Sequence, residues 1–265
     1  MTTGLKRIGN ENFYTKKEIA KKCCEFIKEK KLIGKDDIII EPSAGNGAFI
    51  EFIKLLSKHY KFYDIKPNHD EIIKQDFLNL EEKFENCHII GNPPFGRQSS
   101  LAKKFIKKVS SAKSISFILP KSFKKESYNK TFPLNFHIIH EYDLPKNSFN
   151  INEEEYDVPC VFQIWVKRNY NREVLKKEEP YNFKFVKKEE EHDISFRRVG
   201  VYSGEINIKT ENKSPSSHYF IKFLDPKLLD KIEIFKSIVF SSDNTVGARS
   251  ISKPELIKEF NQIIK

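Results

Sequence analysis

No run of apolar residues in this chain approaches the ~20 that a membrane-spanning helix requires. The opening stretch, MTTGLKRIGNENFY, lacks the apolar core that a secretory signal carries. Both absences predict a soluble, intracellular protein. Cysteine is scarce, and Cys23, Cys24, Cys87 and Cys160 fall in no CxxC or Cys/His spacing that suits zinc. Buried free thiols and no metal site are the expectation. Internal repeats and low-complexity tracts are also missing, so the chain reads as neither a repeat array nor a biased segment.

What is present describes a globular protein. Hydrophobic residues make up 38% and aromatics 13%, with 23 Phe, which outweighs the 32% of charged residues as a sign of a packed core. A chain of 265 residues has room for one full domain and a smaller appendage. The formal charge of +10 is uneven. Residues 1–170 hold 29 Lys+Arg against 22 Asp+Glu, and residues 171–265 hold 18 against 15. From Arg97 to Lys125 there are nine basic residues and no acidic one. A field of one sign concentrates polyanions, although such a run can also be a solvated lysine face.

The first 170 residues alternate strand and helix patterns. Thr15 to Glu18 reads as a T-x-x-E capping box ahead of a helix with Ile19, Cys23, Phe26 and Ile27 on one face. Strand candidates are DIIIEP (37–42), KFYDI (61–65), HIIGN (88–92), SISFILP (114–120), FHIIHEYDL (136–144) and VPCVFQIWV (158–166). AFIEFIKLL (48–56) and LAKKFIKKV (101–109) have helical period. Such alternation predicts a doubly wound α/β sheet with its ligand site at the carboxyl ends of the strands. A charged texture over 169–193 suggests a boundary. Two domains follow: 1–170, and a small α+β extension over 171–265 with strands near YNFKFV, DISFRRV, EINIK and SHYFIKFL, whose last helix opens on a Ser252-x-x-Glu255 capping box.

Three constellations carry chemistry. Glu41-Pro42-Ser43-Ala44-Gly45-Asn46-Gly47 stands at a strand end and opens a helix, where glycine lets the backbone approach a ligand closely. Asp64 ends the next strand, 23 residues beyond Glu41, and is placed to accept hydrogen bonds from ribose hydroxyls. Asn92-Pro93-Pro94-Phe95 follows the strand HIIG. Two consecutive prolines stiffen the backbone, so the Asn92 side chain and the Pro93 carbonyl can accept both protons of one amine. Drawing on those protons frees the nitrogen lone pair for attack on a methyl donor, while Phe95 offers a flat apolar face to a base.

With these residues in view, the chain resembles the amino-methyltransferases that bear Asn-Pro-Pro-Phe, the adenine-N6 methyltransferases of DNA and related RNA enzymes, in the motif order of the gamma class. The resemblance spans about residues 10–168. It implies a class I methyltransferase sheet with an antiparallel seventh strand at Val161–Trp165, and S-adenosylmethionine as cofactor. By the same resemblance the N-terminal motif Phe13-Tyr14-Thr15 (FYT) lies near the cofactor's methionine part, with helix capping by Thr15 a compatible role. Glu41, Ser43, Gly45 and Gly47 form the cofactor loop, and Asp64, with Ile65 beside it, marks the ribose site. Asp76 and Phe77 would meet the cofactor's adenine. Asn92, Pro93, Pro94 and Phe95 would be catalytic. Phe149 is either a second aromatic against the target base or a core residue.

The implied substrate is adenine in a nucleic acid, DNA ahead of RNA, either extruded from a duplex or taken from a single strand. Arg97, Lys121, Lys124 and Lys125 would then hold phosphates. Lys103, Lys104, Lys107 and Lys108 read as solvated helix surface. Rival readings are an RNA adenine methyltransferase, a protein glutamine methyltransferase using the same two acceptors, and a non-catalytic nucleic-acid-binding subunit. The extension would serve substrate or partner contacts, homo- or heterodimeric, with Arg197 and Arg198 available to a phosphate backbone.

Overall fold

The computed structural model describes residues 13–151, 154–173, 178–240 and 249–265. Residues 10–12 of the stretch that carries the resemblance and 174–177 of the charged stretch lie outside them. The chain divides into two compact units, one of Arg7–Glu173 and one built on Val174–Lys265.

In the first unit the elements run β1 (Tyr14–Thr15), α1 (Lys17–Glu29), β2 (Ile38–Glu41), α2 (Ile50–Leu56), β3 (His59–Asp64), β4 (Ile73–Lys74) and β5 (Cys87–Gly91). They continue with α3 (Ser100–Lys108), β6 (Ser114–Pro120), α4 (Glu126–Asn129), β7 (Phe136–Asp143), β8 (Phe149–Ile151), β9 (Glu154–Tyr156) and β10 (Cys160–Lys167). Seven strands form one sheet in the order β4-β3-β2-β5-β6-β10-β7. Neighbours from β4 to β6 pair in parallel, whereas β10 is antiparallel to both β6 and β7. That order, with one reversed strand inserted next to the edge, is the class I methyltransferase sheet.

Burial explains why these segments are strands. Every residue of β5 and of β6 is buried, as central parallel strands covered on both faces require. On one face Ile40, Ile89, Ile115 and Phe117 pack with Ala102, Phe105 and Ile106 of α3. Against the other, α1 turns in Ile19, Ala20, Cys23, Cys24 and Ile27, and its Phe26 ring meets His140 and Tyr142 of β7. All four cysteines are free and buried. The T-x-x-E pattern does not cap α1. Lys16 stands at the N-cap, where its donor-only ammonium cannot accept a backbone N–H, and the Thr15 hydroxyl one residue earlier accepts from Asn92 instead.

The second unit is a four-stranded antiparallel sheet, β11 (Phe183–Val186), β12 (Ile194–Arg197), β13 (Ile206–Asn207) and β14 (His218–Phe223), in the order β11-β14-β12-β13. α5 (Ile232–Lys236) and α6 (Lys253–Ile264) follow. Leu256, Ile257 and Phe260 of α6 pack on Phe183, Ile194, Phe196 and Ile221. The Ser252–Glu255 capping box is formed at the start of α6. No helix among the described residues is long and apolar enough to cross a membrane.

Candidate active site

The corner after β5 is built from three distant parts of the chain. Gly91 has φ of +151°, and a side chain there would come within 3.1 Å of Glu41 Cγ, so only glycine lets β5 pass β2 this closely. Next, Asn92 donates through its amide nitrogen to the Phe13 carbonyl at 3.3 Å and to the Thr15 hydroxyl at 3.1 Å. A backbone carbonyl only accepts, so the nitrogen must face Phe13 and Oδ1 must face away. Oδ1 is buried and has no partner among the described residues. A buried, unsatisfied acceptor costs about 1–3 kcal/mol, and it marks a point where a donor would be welcome. The Asn92 carbonyl in turn accepts from the Ser43 hydroxyl at 3.1 Å, which ties the corner to the glycine loop.

A small sheet holds the partner segment in place. β1 pairs with β8, Tyr14 opposite Asn150 and Thr15 opposite Phe149, and β8 pairs with β9. Lys16 closes the arrangement with an ion pair to Glu155. Phe95 is half-buried, and the Phe13 ring lies roughly parallel to it at 6.3 Å. Tyr156 stacks on Phe13 at 5.4 Å. Phe149 is 0% exposed and meets Phe13 edge-on, so it supports the aromatic group from beneath and presents no face to a base. The reading of Phe149 as a base-stacking residue is corrected accordingly. Phe13 and Tyr156 occupy the accessible positions instead. Phe13 belongs to the FYT segment, whereas Tyr156 had no signal in sequence.

The glycine loop is locked to the tip of β3. Gly45 donates its N–H to Asp64 Oδ2 at 2.8 Å, and Lys66 donates to Oδ1 at 2.8 Å. Gly45 has φ of +55°, and a Cβ there would lie 3.0 Å from the Tyr14 ring, so Tyr14 covers the loop directly. At Gly47 a side chain would meet Ile50 and His69. Ile65 follows Asp64 with 58% of its surface exposed, an apolar face open to solvent beside the loop. Glu41 lies beneath, 2% exposed, with Oε2 unpartnered. Burial pushes its carboxyl well above the usual carboxylate range, and the nearby charge of Asp64 adds to the effect.

Asp76 caps a single 3₁₀ turn, accepting from Leu78 N at 3.0 Å and Asn79 Nδ2 at 2.9 Å. The neighbouring Phe77 is 1% exposed, and its ring packs between Phe84 and Phe105 inside the core. It offers no surface to a cofactor, which corrects the expectation for that residue.

The basic run is less basic in space than in sequence. Lys124 reaches Asp143 at 2.9 Å and Glu141 at 3.5 Å, and Lys121 reaches Asp143 at 3.4 Å, all at the carboxyl edge of the sheet. β7 supplies acids that the linear run lacks, so the expectation that Lys121 and Lys124 stand ready for phosphates is corrected. Lys125, half-buried, closes the turn by donating its N–H to the Ser122 carbonyl. Arg97 is exposed and makes no ion pair among the described residues. Lys113 pairs with Asp37, and Lys103 lies over the Tyr128 ring.

No protein-family model matches the chain, and no curated protein matches it in sequence. Solved structures do resemble it. A "putative RNA methyltransferase" from Pyrococcus horikoshii gives a TM-score of 0.47 at 15% identity, over 62% of this chain and 92% of its own. The 23S rRNA methyltransferase ErmE gives 0.43 at 14%, over 60% of this chain and 71% of its own. The N-methyltransferase NodS from Bradyrhizobium japonicum gives 0.42 at 11%, over 57% of this chain and 94% of its own. These scores lie below 0.5, so the case for chemistry rests on the side chains.

Proposed function

We propose that the chain transfers a methyl group from S-adenosylmethionine to the N6 amine of adenine in a nucleic acid. The observation that carries this reading is the Asn92 amide, whose nitrogen is spoken for twice and whose Oδ1 is left buried and unpaired. An exocyclic amine is a poor nucleophile because its lone pair is delocalised into the ring. Asn92 Oδ1 and the Pro93 carbonyl would each accept one of its protons, favouring a pyramidal nitrogen with its lone pair released. Positioning and fixed dipoles suffice, since the methylated amine gives up its proton readily to water. Phe95 and Phe13 would receive the base between apolar faces. Because Oδ1 is buried, the groups that cover it must move for the amine to reach it.

The loop's donor set fits the cofactor. S-adenosylmethionine, when bound, supplies an electrophilic methyl on a sulfonium and carries a second positive charge on its amino group. Glu41 and Asp64 bring two carboxyl groups to the same loop, and the unpartnered Glu41 oxygen lacks only a donor or cation. Asp64 spends one lone pair per oxygen on backbone N–H groups and keeps others for ribose hydroxyls. Tyr14, Ser43, Gly45 and Gly47 would frame the methionine part. Ile65 would cover the cofactor's base and Asp76 would accept from its amine. Arg97 would steer phosphate.

The test is transfer of labelled methyl to separate DNA, RNA and protein pools, the nucleic acids then digested to nucleosides and the protein to amino acids. Label in N6-methylated adenosine or deoxyadenosine is expected, together with loss of turnover by on the order of 10²–10³ in Asn92→Ala at unchanged cofactor affinity. Label confined to protein glutamine, or undiminished turnover in Asn92→Ala, would overturn the reading.

A further inference from the structure

The second unit carries an aromatic and basic cleft of its own. On its sheet, Phe183 and Phe185 of β11 share a face with Tyr219, Ile221 and Phe223 of β14, and α6 covers that face only from Lys253 onward. Phe185 and Tyr219 are therefore left half-buried, their rings edge to face at 5.5 Å. Cations crowd them. Lys253 Nζ lies 4.4 Å from the Phe185 ring centre and 5.7 Å from that of Tyr219, and the Arg198 guanidinium lies 5.6 Å from Tyr219. The cleft beside the rings has a volume of about 230 Å³, and Lys187, Lys188 and His218 line it. Glu189 is the single acid on its wall among the described residues. Volume, flat apolar faces and positive charge match one nucleotide.

The geometry points to a second nucleic-acid contact here, in which one base of a single-stranded segment stacks on Tyr219 and Phe185 while Lys187, Lys188 and Lys253 hold the flanking phosphates. This rests on the nucleic-acid reading of the first unit and names the strand form that the second unit takes. Stacking of this kind tolerates any base, and it adds affinity without setting the target.

Single-stranded oligonucleotides bearing photoreactive thiouridine, irradiated with the full chain, should cross-link to the peptides that contain Phe185 or Tyr219. The Lys187→Glu/Lys188→Glu chain should bind the same strands at least about tenfold more weakly, with the salt slope reduced by about 1.4. Tyr219→Leu keeps an apolar side chain in the core, and its melting temperature checks the fold. It should lose roughly fivefold or more in affinity. Cross-links confined to Arg7–Glu173, with both variants binding like the wild type, would overturn this inference and leave the methyltransferase reading standing. Absence of any nucleic-acid binding or methylation would sink both.

Discussion

The amide nitrogen of Asn92 lies 3.1 Å from the hydroxyl of Thr15, a contact that spans 77 residues of chain. The bond sets which way the amide faces, and so decides whether an oxygen or a nitrogen meets an incoming amine. Thr15 touches neither substrate nor reacting atoms in the proposed chemistry. It is a positioning residue.

Thr15→Val should therefore leave cofactor affinity near that of the wild type and lower kcat by about tenfold, the amide then being held by Phe13 alone. Thr15→Ser, which restores the hydroxyl, should recover most of the loss. A fall in KM-governed binding with no change in kcat, or no rescue by Ser, would show that the threonine only packs.

Glu41 links the loop to pH. Its folded-state pKa lies above its unfolded value, so the folded chain prefers the protonated form and loses relative stability as pH rises through the range where an unfolded carboxyl ionises. Glu41→Gln removes that cost. Without ligand, the variant should melt a few degrees higher than the wild type at neutral pH, with the gap closing near pH 4. Its affinity for the cationic cofactor should fall, read by calorimetric titration. A variant that melts lower at neutral pH would refute the assignment.

The ion pairs of Lys124 give a contrast between charges. Lys124→Gln should change nucleic-acid affinity by less than about twofold, because Asp143 and Glu141 already neutralise that lysine. Arg97→Gln should weaken binding and lower the slope of log K against log salt by about 0.7–0.9, as one lost phosphate contact requires. Binding titrations over a salt series separate the two, and equal slopes for wild type and Arg97→Gln would remove Arg97 from the interface.

His88 predicts a loss of stability in acid. Burial holds its pKa below the ordinary 6.5, with Asp37 opposing the shift and Lys113 adding to it. As pH falls past 6.5 the unfolded chain takes up the proton first, so the folded state weakens below that point. His140 and His218 are shifted in the same direction by burial. The unfolding midpoint in urea should drop between about pH 7 and 5, and His88→Gln should show a flatter profile. Parallel profiles would mean that folding leaves the proton affinity of His88 unchanged.

What could be read in advance follows from period and length. The buried strands announce themselves as unbroken apolar runs, and SISFILP coincides with β6 from Ser114 to Pro120. The short strands β1, β8 and β9 have two or three residues each, too few for a period to register, yet they bring Thr15 to Asn92. Phenylalanine was a poor guide in a chain with 23 of them, which is why Phe77 and Phe149 looked like ligand contacts and proved to be core. Charge misled for a related reason. Lys124 and Asp143 are 19 residues apart, and only the neighbouring strands β6, β10 and β7 show that they meet.

Pairing of Tyr14 with Asn150 also governs when the site is complete. A nascent chain that has left the ribosome only as far as β7 already contains the glycine loop and the proline corner, but nothing yet clasps its first strand. Until Phe149–Ile151 emerges, nothing pairs with the strand whose Phe13 carbonyl and Thr15 hydroxyl hold the Asn92 amide, so the corner stays unaimed until that late segment arrives.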